Sequence, residues 1–378
     1  MTRDLERKDR PRIALVLAGG NALGAYGAGA YEAMHGRGYL PDLISGASIG
    51  AINGAIIAGN ALERRVDKLR EFWIDAAMFS PNAWLAATGR PRKDYNRAHA
   101  LHAVLFGRPG LFVPRIPGLL SALPGMPRDV AIFDNRPTTA TLERVVDFEL
   151  LNSAQVPLIV NCSDMGTGQP IRFDTRVKPV APVHFLASSG LAPAFPPVTI
   201  DGQSLGDPGF ISNLPLDAVL EHKLEDDLLC FAVDLFDVND ERPDDLDGVI
   251  ERTQDILFAA QSQRTIEARV REHRLRHIIA ALAESLPRSA DGYNALKGLG
   301  DEGSAAELDI VFVAYRAAAH ELAAKTLEYS RTSIEERWAA GRDDMHAAID
   351  RLEAGQSARS GPGFALYSTP QQAATAPA

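Results

Sequence analysis

The chain has 378 residues, 46% of them hydrophobic, with 49 acidic against 39 basic side chains and a formal net charge of −10. That length accommodates one large domain or two small ones, and the apolar content supports a sizeable core. The acid excess argues against nucleic acid as a principal partner, because phosphate backbones are bound by basic surface.

Met1–Arg12 is charged and lacks the apolar stretch of a signal peptide. No run approaches the roughly 20 apolar residues of a membrane-spanning helix. Cys162 and Cys230 lie in apolar, strand-like runs and read as small buried hydrophobes, not as a disulfide framework or a metal site. Together these features predict a soluble protein of a reducing compartment, the cytoplasm.

Ile13–Ala18 is short, continuous and apolar, the pattern of a buried parallel strand. Gly19-Gly20-Asn21-Ala22-Leu23-Gly24 follows and opens a small-residue helix to about Arg37. A glycine-rich loop entering a helix aims several backbone N–H groups at one place, which makes an anion site. Two uses are open: a dinucleotide phosphate loop, or an oxyanion hole. The first fits poorly, since Asn21 replaces the middle glycine, and Asp42 lies at the near end of the next strand where a ribose-binding acid belongs at the far end. Asn21 is compatible with the second, because asparagine tolerates positive φ.

Leu43–Ala47 reads as the next strand and Ile49–Gly59 as the next helix, giving a β-α-β-α start and a parallel sheet. Between them, Gly46-Ala47-Ser48-Ile49-Gly50 spells Gly-x-Ser-x-Gly in the strand-turn-helix setting of a nucleophile elbow. Such a turn strains the serine backbone and admits only residues without bulk at the two flanking positions, here Gly46 and Gly50. It also sets the hydroxyl at a helix N-terminus, where the Ile49 amide and the helix dipole favour developing negative charge.

Leu62–Ala77 reads as a helix with Val66, Leu69, Phe72 and Trp73 on one side. Residues 107–127 are rich in Pro and Gly yet carry Leu111, Phe112, Val113, Ile116, Leu119 and Leu120. They read as a packed irregular connection, with a lid or acyl-binding lip as the alternative. Strands are predicted at Pro157–Cys162, Leu228–Leu235 and Asp309–Tyr315, with a hairpin turn at Asp201-Gly202. Leu246 to about Leu286 is helical by periodicity. Its Arg264, Arg269, Arg271, Arg274 and Arg276, interleaved with Glu267 and Glu272, read as a solvated face of i,i+4 pairs, with a membrane-surface role as the alternative. Ser333-Ile334-Glu335-Glu336 spells a capping box for a last helix to Leu352. After Gly355 the composition predicts disorder.

The pairing of Gly-Gly-x-x-x-Gly after the first strand with Gly-x-Ser-x-Gly after the second resembles the patatin-like phospholipases. Asp134–Pro137, Thr141–Phe148 and Ala187–Pro193 resemble further segments of that family, so the likeness runs from about Arg12 to Leu220. The part beyond resembles the helical domain of unknown function that follows patatin domains in some bacterial proteins. In the family the serine works with an aspartate of an Asp-Gly-Gly or Asp-Gly-Ala motif and with no histidine. The resemblance carries that aspartate onto Asp207, which precedes Pro208-Gly209 and is followed by Asn213-Leu214-Pro215, and not onto Asp201. Pro208 departs from the family's glycine.

The resemblance implies an α/β fold: a three-layer α/β/α sandwich with a mostly parallel central sheet and a mainly helical C-terminal extension. It implies a charged tail over 1–11, a catalytic domain over 12–220, a helical region over 221–354 and a disordered tail over 355–378. Ser48 and Asp207 become the catalytic dyad, Gly19, Gly20, Asn21 and Gly24 the oxyanion hole, Gly46 and Gly50 the elbow, and Gly209 part of the proton-acceptor motif. The implied activity is that of a serine esterase or lipid acyl hydrolase on phospholipid, lysophospholipid, neutral-lipid or polyester bonds. No cofactor and no metal are implied. An acyltransferase on the same dyad is the alternative enzyme, and an inactive lipid-binding scaffold the alternative outside enzymes. Peripheral contact with the inner face of a membrane is the expectation that a lipid substrate carries. His320 is the one histidine placed as a Ser-His-Asp hydrolase would need it, and it reads as structural.

Overall fold

The structure, a computed structural model, describes residues 10–78, 90–221, 223–238, 243, 245–289 and 293–369. The chain begins β1 (Arg12–Leu17), α1 (Gly24–Gly36), β2 (Leu43–Ala47), α2 (Ile49–Ala58), α3 (Arg65–Ala76) and α4 (Arg90–Phe106). A short excursion follows: β3 (Val113–Pro114), β4 (Phe133–Asp134), α5 (Thr138–Val145) and α6 (Phe148–Asn152). Then come β5 (Leu158–Asp164), β6 (Pro170–Asp174), α7 (Pro182–Ser188), β7 (Val198–Ile200), β8 (Gln203–Gly206), α8 (Gly209–Ser212), α9 (Asp217–Leu220) and β9 (Leu228–Asp234). The rest is α10 (Leu246–Ser285), α11 (Tyr293–Leu299), β10 (Leu308–Ala314), α12 (Arg331–Glu353), β11 (Arg359–Gly361) and β12 (Phe364–Ser368).

Ten strands form one sheet in the order β11-β12-β10-β9-β1-β2-β5-β8-β7, with β6 on β5. The run β12-β10-β9-β1-β2-β5 is parallel throughout, and β6, β7, β8 and β11 pair antiparallel. Flanking helices complete a three-layer α/β/α sandwich. The central strands are apolar along their length because parallel strands are covered on both faces; β1 from Ile13 on, β2 and β9 are entirely buried. Cys162 and Cys230 are buried free thiols in β5 and β9. Register sets the carboxyl ends of neighbouring strands side by side, Leu17 against Gly46 and Val233, and Ala47 against Asn161. In open α/β sheets that edge is where ligands bind.

The small residues of α1 are explained by α12. A Cβ on Gly29 would stand 1.9 Å from the carbonyl oxygen of Trp338, and one on Gly341 would stand 2.0 Å from that of Tyr26. The two helices therefore cross backbone to backbone at Gly29 and Gly341. Tyr26 donates to Asp344 across the same seam at 2.8 Å.

Three sequence readings need correction. α12 begins at Arg331, with Ser330 as the cap that accepts the Ser333 amide. Ser333 and Glu336 do not form a capping box; both bind Arg92 of α4, at 2.9 and 2.7 Å, so a tertiary cation takes the groups that the local spelling assigned to each other. Residues 359–368 are not disordered: β12 lies parallel to β10, with Phe364 and Leu366 buried, and β11 closes that edge. Pairing to an existing strand outweighs a Gly/Ser-rich composition; residues 370–378 lie outside the described ones. Residues 107–127 divide. Leu111 and Phe112 are buried in the core, whereas Ile116, Leu119 and Leu120 are exposed on or before a 3-10 turn at Gly118–Ala122, so the packed reading holds only for the first part.

Candidate active site

Ser48 joins β2 to α2 with φ 53° and ψ −125°, a strained conformation for a residue with a side chain. What holds it is the lack of space around it. A Cβ on Gly46 would stand 2.6 Å from the Ala51 backbone, and one on Gly50 would stand 2.3 Å from the Leu17 carbonyl oxygen. Both elbow glycines are required by close backbone approach. The Ser48 amide donates to Ser188 Oγ at 3.0 Å, and Ser188 in turn donates to the Asn161 carbonyl at 2.6 Å. Asn161 also donates to the Gly46 carbonyl at 2.9 Å. The turn is thus pinned to β5 and α7 by side chains.

Asp207 follows β8 and is brought to Ser48 because β8 pairs antiparallel to the end of β5, two strands from β1. Asp207 is 5% exposed, lines the same cavity as Ser48, and lies near enough for the Ser48 hydroxyl to pull its carboxyl's pKa down. The Gly209 amide donates to Asp207 Oδ1 at 2.8 Å. Burial pushes the carboxyl up to about 6, against the opposing pull of these two donors. Pro208 does not disturb this geometry: at φ −77° it caps the start of α8, and its carbonyl accepts the Ile211 amide. Asp201 stands instead at the exposed β7–β8 turn, paired with Lys178 at 2.9 Å.

The amides of the glycine loop fall into two sets. Gly19 donates its amide to the Asn213 carbonyl at 3.1 Å, and Asn213 Nδ2 returns a bond to the Gly19 carbonyl at 3.0 Å. The Gly24 amide donates to the Asn21 carbonyl. Neither amide is available to an anion, which corrects the expectation for Gly19 and Gly24. Gly24 is there for packing, since a Cβ on it would stand 2.5 Å from Ile49 Cγ1. The Gly20, Asn21 and Ile49 amides have no acceptor among the described residues, and all three residues line the cavity beside Ser48. Asn21 takes φ 52°, and its Oδ1 accepts from the buried Tyr329 hydroxyl.

A cavity of about 330 Å³ opens over Ser48 and Asp207. Its walls are mostly apolar, with Phe112, Phe195, Phe210, Phe236, Phe258 and Leu327 prominent. The lining includes no histidine. His320 lies elsewhere, 3.4 Å from Glu336. Among the described residues no group of three His, Cys, Asp or Glu is placed to hold a metal ion. The sequence alone assigned no role in the site to Ser188 or to Tyr329. Ser188 lies in a segment that already carried the family likeness, while Tyr329, 308 residues from Asn21, left no local signal.

A family model described as Patatin-like phospholipase matches residues 15–220, and a second, a domain of unknown function described as Patatin phospholipase, matches 256–360. Among solved structures the chain is similar to VipD from Legionella pneumophila, with TM-score 0.40 and 15% identity over 91% of this chain and 67% of that one. It is also similar to the type III effector protein ExoU, with TM-score 0.33 and 15% identity over 91% of this chain and 53% of that one. No curated protein sequence matches it. With more than half of its length matched by the first family model, the chain belongs to the patatin-like phospholipase family.

Proposed function

We propose that the chain is a lipid acyl hydrolase that works through Ser48 and Asp207. The observation that carries this reading is that Ser48, in its strained elbow, and the buried Asp207 line one mostly apolar cavity. Ser48 Oγ attacks the ester carbonyl carbon and its proton passes to Asp207. The carbonyl oxygen becomes an oxyanion facing the free Gly20, Asn21 and Ile49 amides. On collapse the ester C–O bond breaks, Asp207 returns the proton to the departing alcohol, and acyl-Ser48 remains. Water then attacks the acyl carbon while Asp207 takes its proton, and the second collapse frees the acid and restores the Ser48 hydroxyl. A carboxylate of ordinary pKa is a poor base near neutrality; burial that lifts Asp207 to about 6 makes it a better one while leaving it ionised at pH 7.

The phenylalanine-rich walls support an acyl chain as the group held, and the reading extends to carboxylic esters of lipids. The test is hydrolysis of a chain-length series of p-nitrophenyl esters together with a phospholipid mixture. The expected result is fatty-acid release that rises from acetate toward longer chains and drops at least a thousand-fold in Ser48→Ala. Ester hydrolysis that survives Ser48→Ala would reject the proposal.

A further inference from the structure

The arginines of α10 divide into two kinds. Arg269 is bound by Asp217 and Glu272, and Arg276 by Glu272 and Glu302. Arg264, Arg271 and Arg274 have no carboxylate partner among the described residues, and neither does Arg359 of β11. These four line one groove between α10 and the edge of the sheet, of about 760 Å³, where Glu267 is the single carboxylate. In a chain with 49 acids and 39 bases, four unpaired guanidiniums in one groove are not the outcome of average surface mixing.

The groove is also built. Arg274 lies against Gly361 of β11, where a Cβ would stand 3.2 Å from Nε, and that Nε is buried without an acceptor. Arg271 and Arg274 are one helical turn apart, and Arg264 precedes Arg271 by two turns, about 10 Å along the axis. Arg359 faces them from the strand. Guanidiniums converging from two walls match the oxygens of a phosphate, which they bind in pairs of parallel N–H bonds. Leu275 and Ile278, both exposed, line the same groove beside the cations.

We propose that this groove is a binding site for a phosphate-bearing ligand, separate from the cavity at Ser48. The phosphate is held between Arg271 and Arg274 of α10 and Arg359 of β11, with Arg264 at the outer end. The source of the phosphate is either a lipid headgroup or a soluble phosphate ester, and the two are separated by experiment. The full chain carrying Ser48→Ala, so that no ester is consumed, is titrated at low salt with three probes: phosphatidylcholine vesicles, the same vesicles with a minority of phosphatidic acid, and soluble glycerol 3-phosphate. Binding to the phosphatidic-acid vesicles alone supports a lipid source, and binding of glycerol 3-phosphate supports a soluble one. In either case Arg271→Gln with Arg359→Gln weakens binding about twenty-fold or more, at roughly five-fold per arginine. Arg271→Lys with Arg359→Lys retains part of it, and added salt weakens the wild type. A melting temperature equal to that of the parent shows that the double variant is folded. Two results overturn the proposal: no binding of either phosphate probe, or binding that is unchanged in the folded Arg271→Gln, Arg359→Gln protein.

Discussion

Asp207 carries a cost that identifies it. Its carboxyl is raised from 3.8 to about 6 by burial, so the folded state holds the proton more tightly than the unfolded chain. The sign follows from linkage: this stabilisation is complete below the unfolded pKa and is lost as pH rises through about 6, which leaves the ionised form costing on the order of 3 kcal/mol at neutral pH. Asp207→Asn removes that charge from the same space. Under the proposed reading it abolishes ester hydrolysis while raising the melting temperature at pH 7 by a few degrees, about 2–4 °C per kcal/mol recovered. Thermal denaturation beside an activity assay checks both halves. A variant that loses activity through a damaged fold would melt lower instead.

At the scale of elements, the α1–α12 crossing is the seam on which the site depends. Gly29 and Gly341 let the helices touch, and the same end of the molecule presents Tyr329 to Asn21. Gly341→Ala drives a methyl group into the Tyr26 carbonyl, with backbone and not a flexible side chain in the way. Overpacking of that kind costs roughly 1–3 kcal/mol or more, so the melting temperature falls by at least about 3 °C in differential scanning fluorimetry. An unchanged melting temperature would mean that the helices are not in backbone contact. The first β-α-β-α stretch and the elbow were legible in the sequence because their signals are local: an apolar run, a glycine two residues either side of Ser48, and a helix of small residues. The partners that complete them were not. The small residues of α1 announce a close neighbour without naming α12, and the loop Gly19–Gly24 spells an anion site without revealing that Asn213, 194 residues away, occupies the first of its amides. β12 was missed for a related reason: composition describes a segment alone, and β10 supplies the pairing.

At the scale of the molecule, two buried acids sit at strand ends of the one sheet, Asp207 just after β8 and Asp234 at the end of β9. Asp234 ends β9, fully buried, and its Oδ1 accepts the Leu235 amide at 2.7 Å; burial pushes it up to about 7. Both it and Asp207 are raised, so both contribute stability on the acid side that is lost as pH rises through about 6 and about 7. Burial lowers His99, His184 and His273, whose contributions run the opposite way, so the test is a difference: the stabilisation of Asp234→Asn over wild type is expected to grow as pH rises towards about 7. A difference that does not grow with pH would show that Asp234 is not buried as described. The C-terminal part is tied into the same body: β9, β10 and β12 extend the sheet that begins with β1, and α10 supplies Leu257 and Phe258 to the cavity wall. The strand pattern of residues 228–235 and 309–315 was readable as apolar runs, whereas their place beside β1 follows from sheet order, which no single run encodes.

The pairing of hydroxyl and carboxylate is tested most directly by covalent labelling. Wild type and Asp207→Asn are treated with a fluorophosphonate, adduct formation is followed by intact mass as a function of pH, and the labelled peptide is sequenced. The expected result is a single adduct on Ser48, formed at a rate that climbs about ten-fold per pH unit below about 6 and levels above it, with Asp207→Asn labelled at least a hundred-fold more slowly. An adduct on another residue, or a rate on Ser48 that is indifferent to Asp207→Asn, would contradict it.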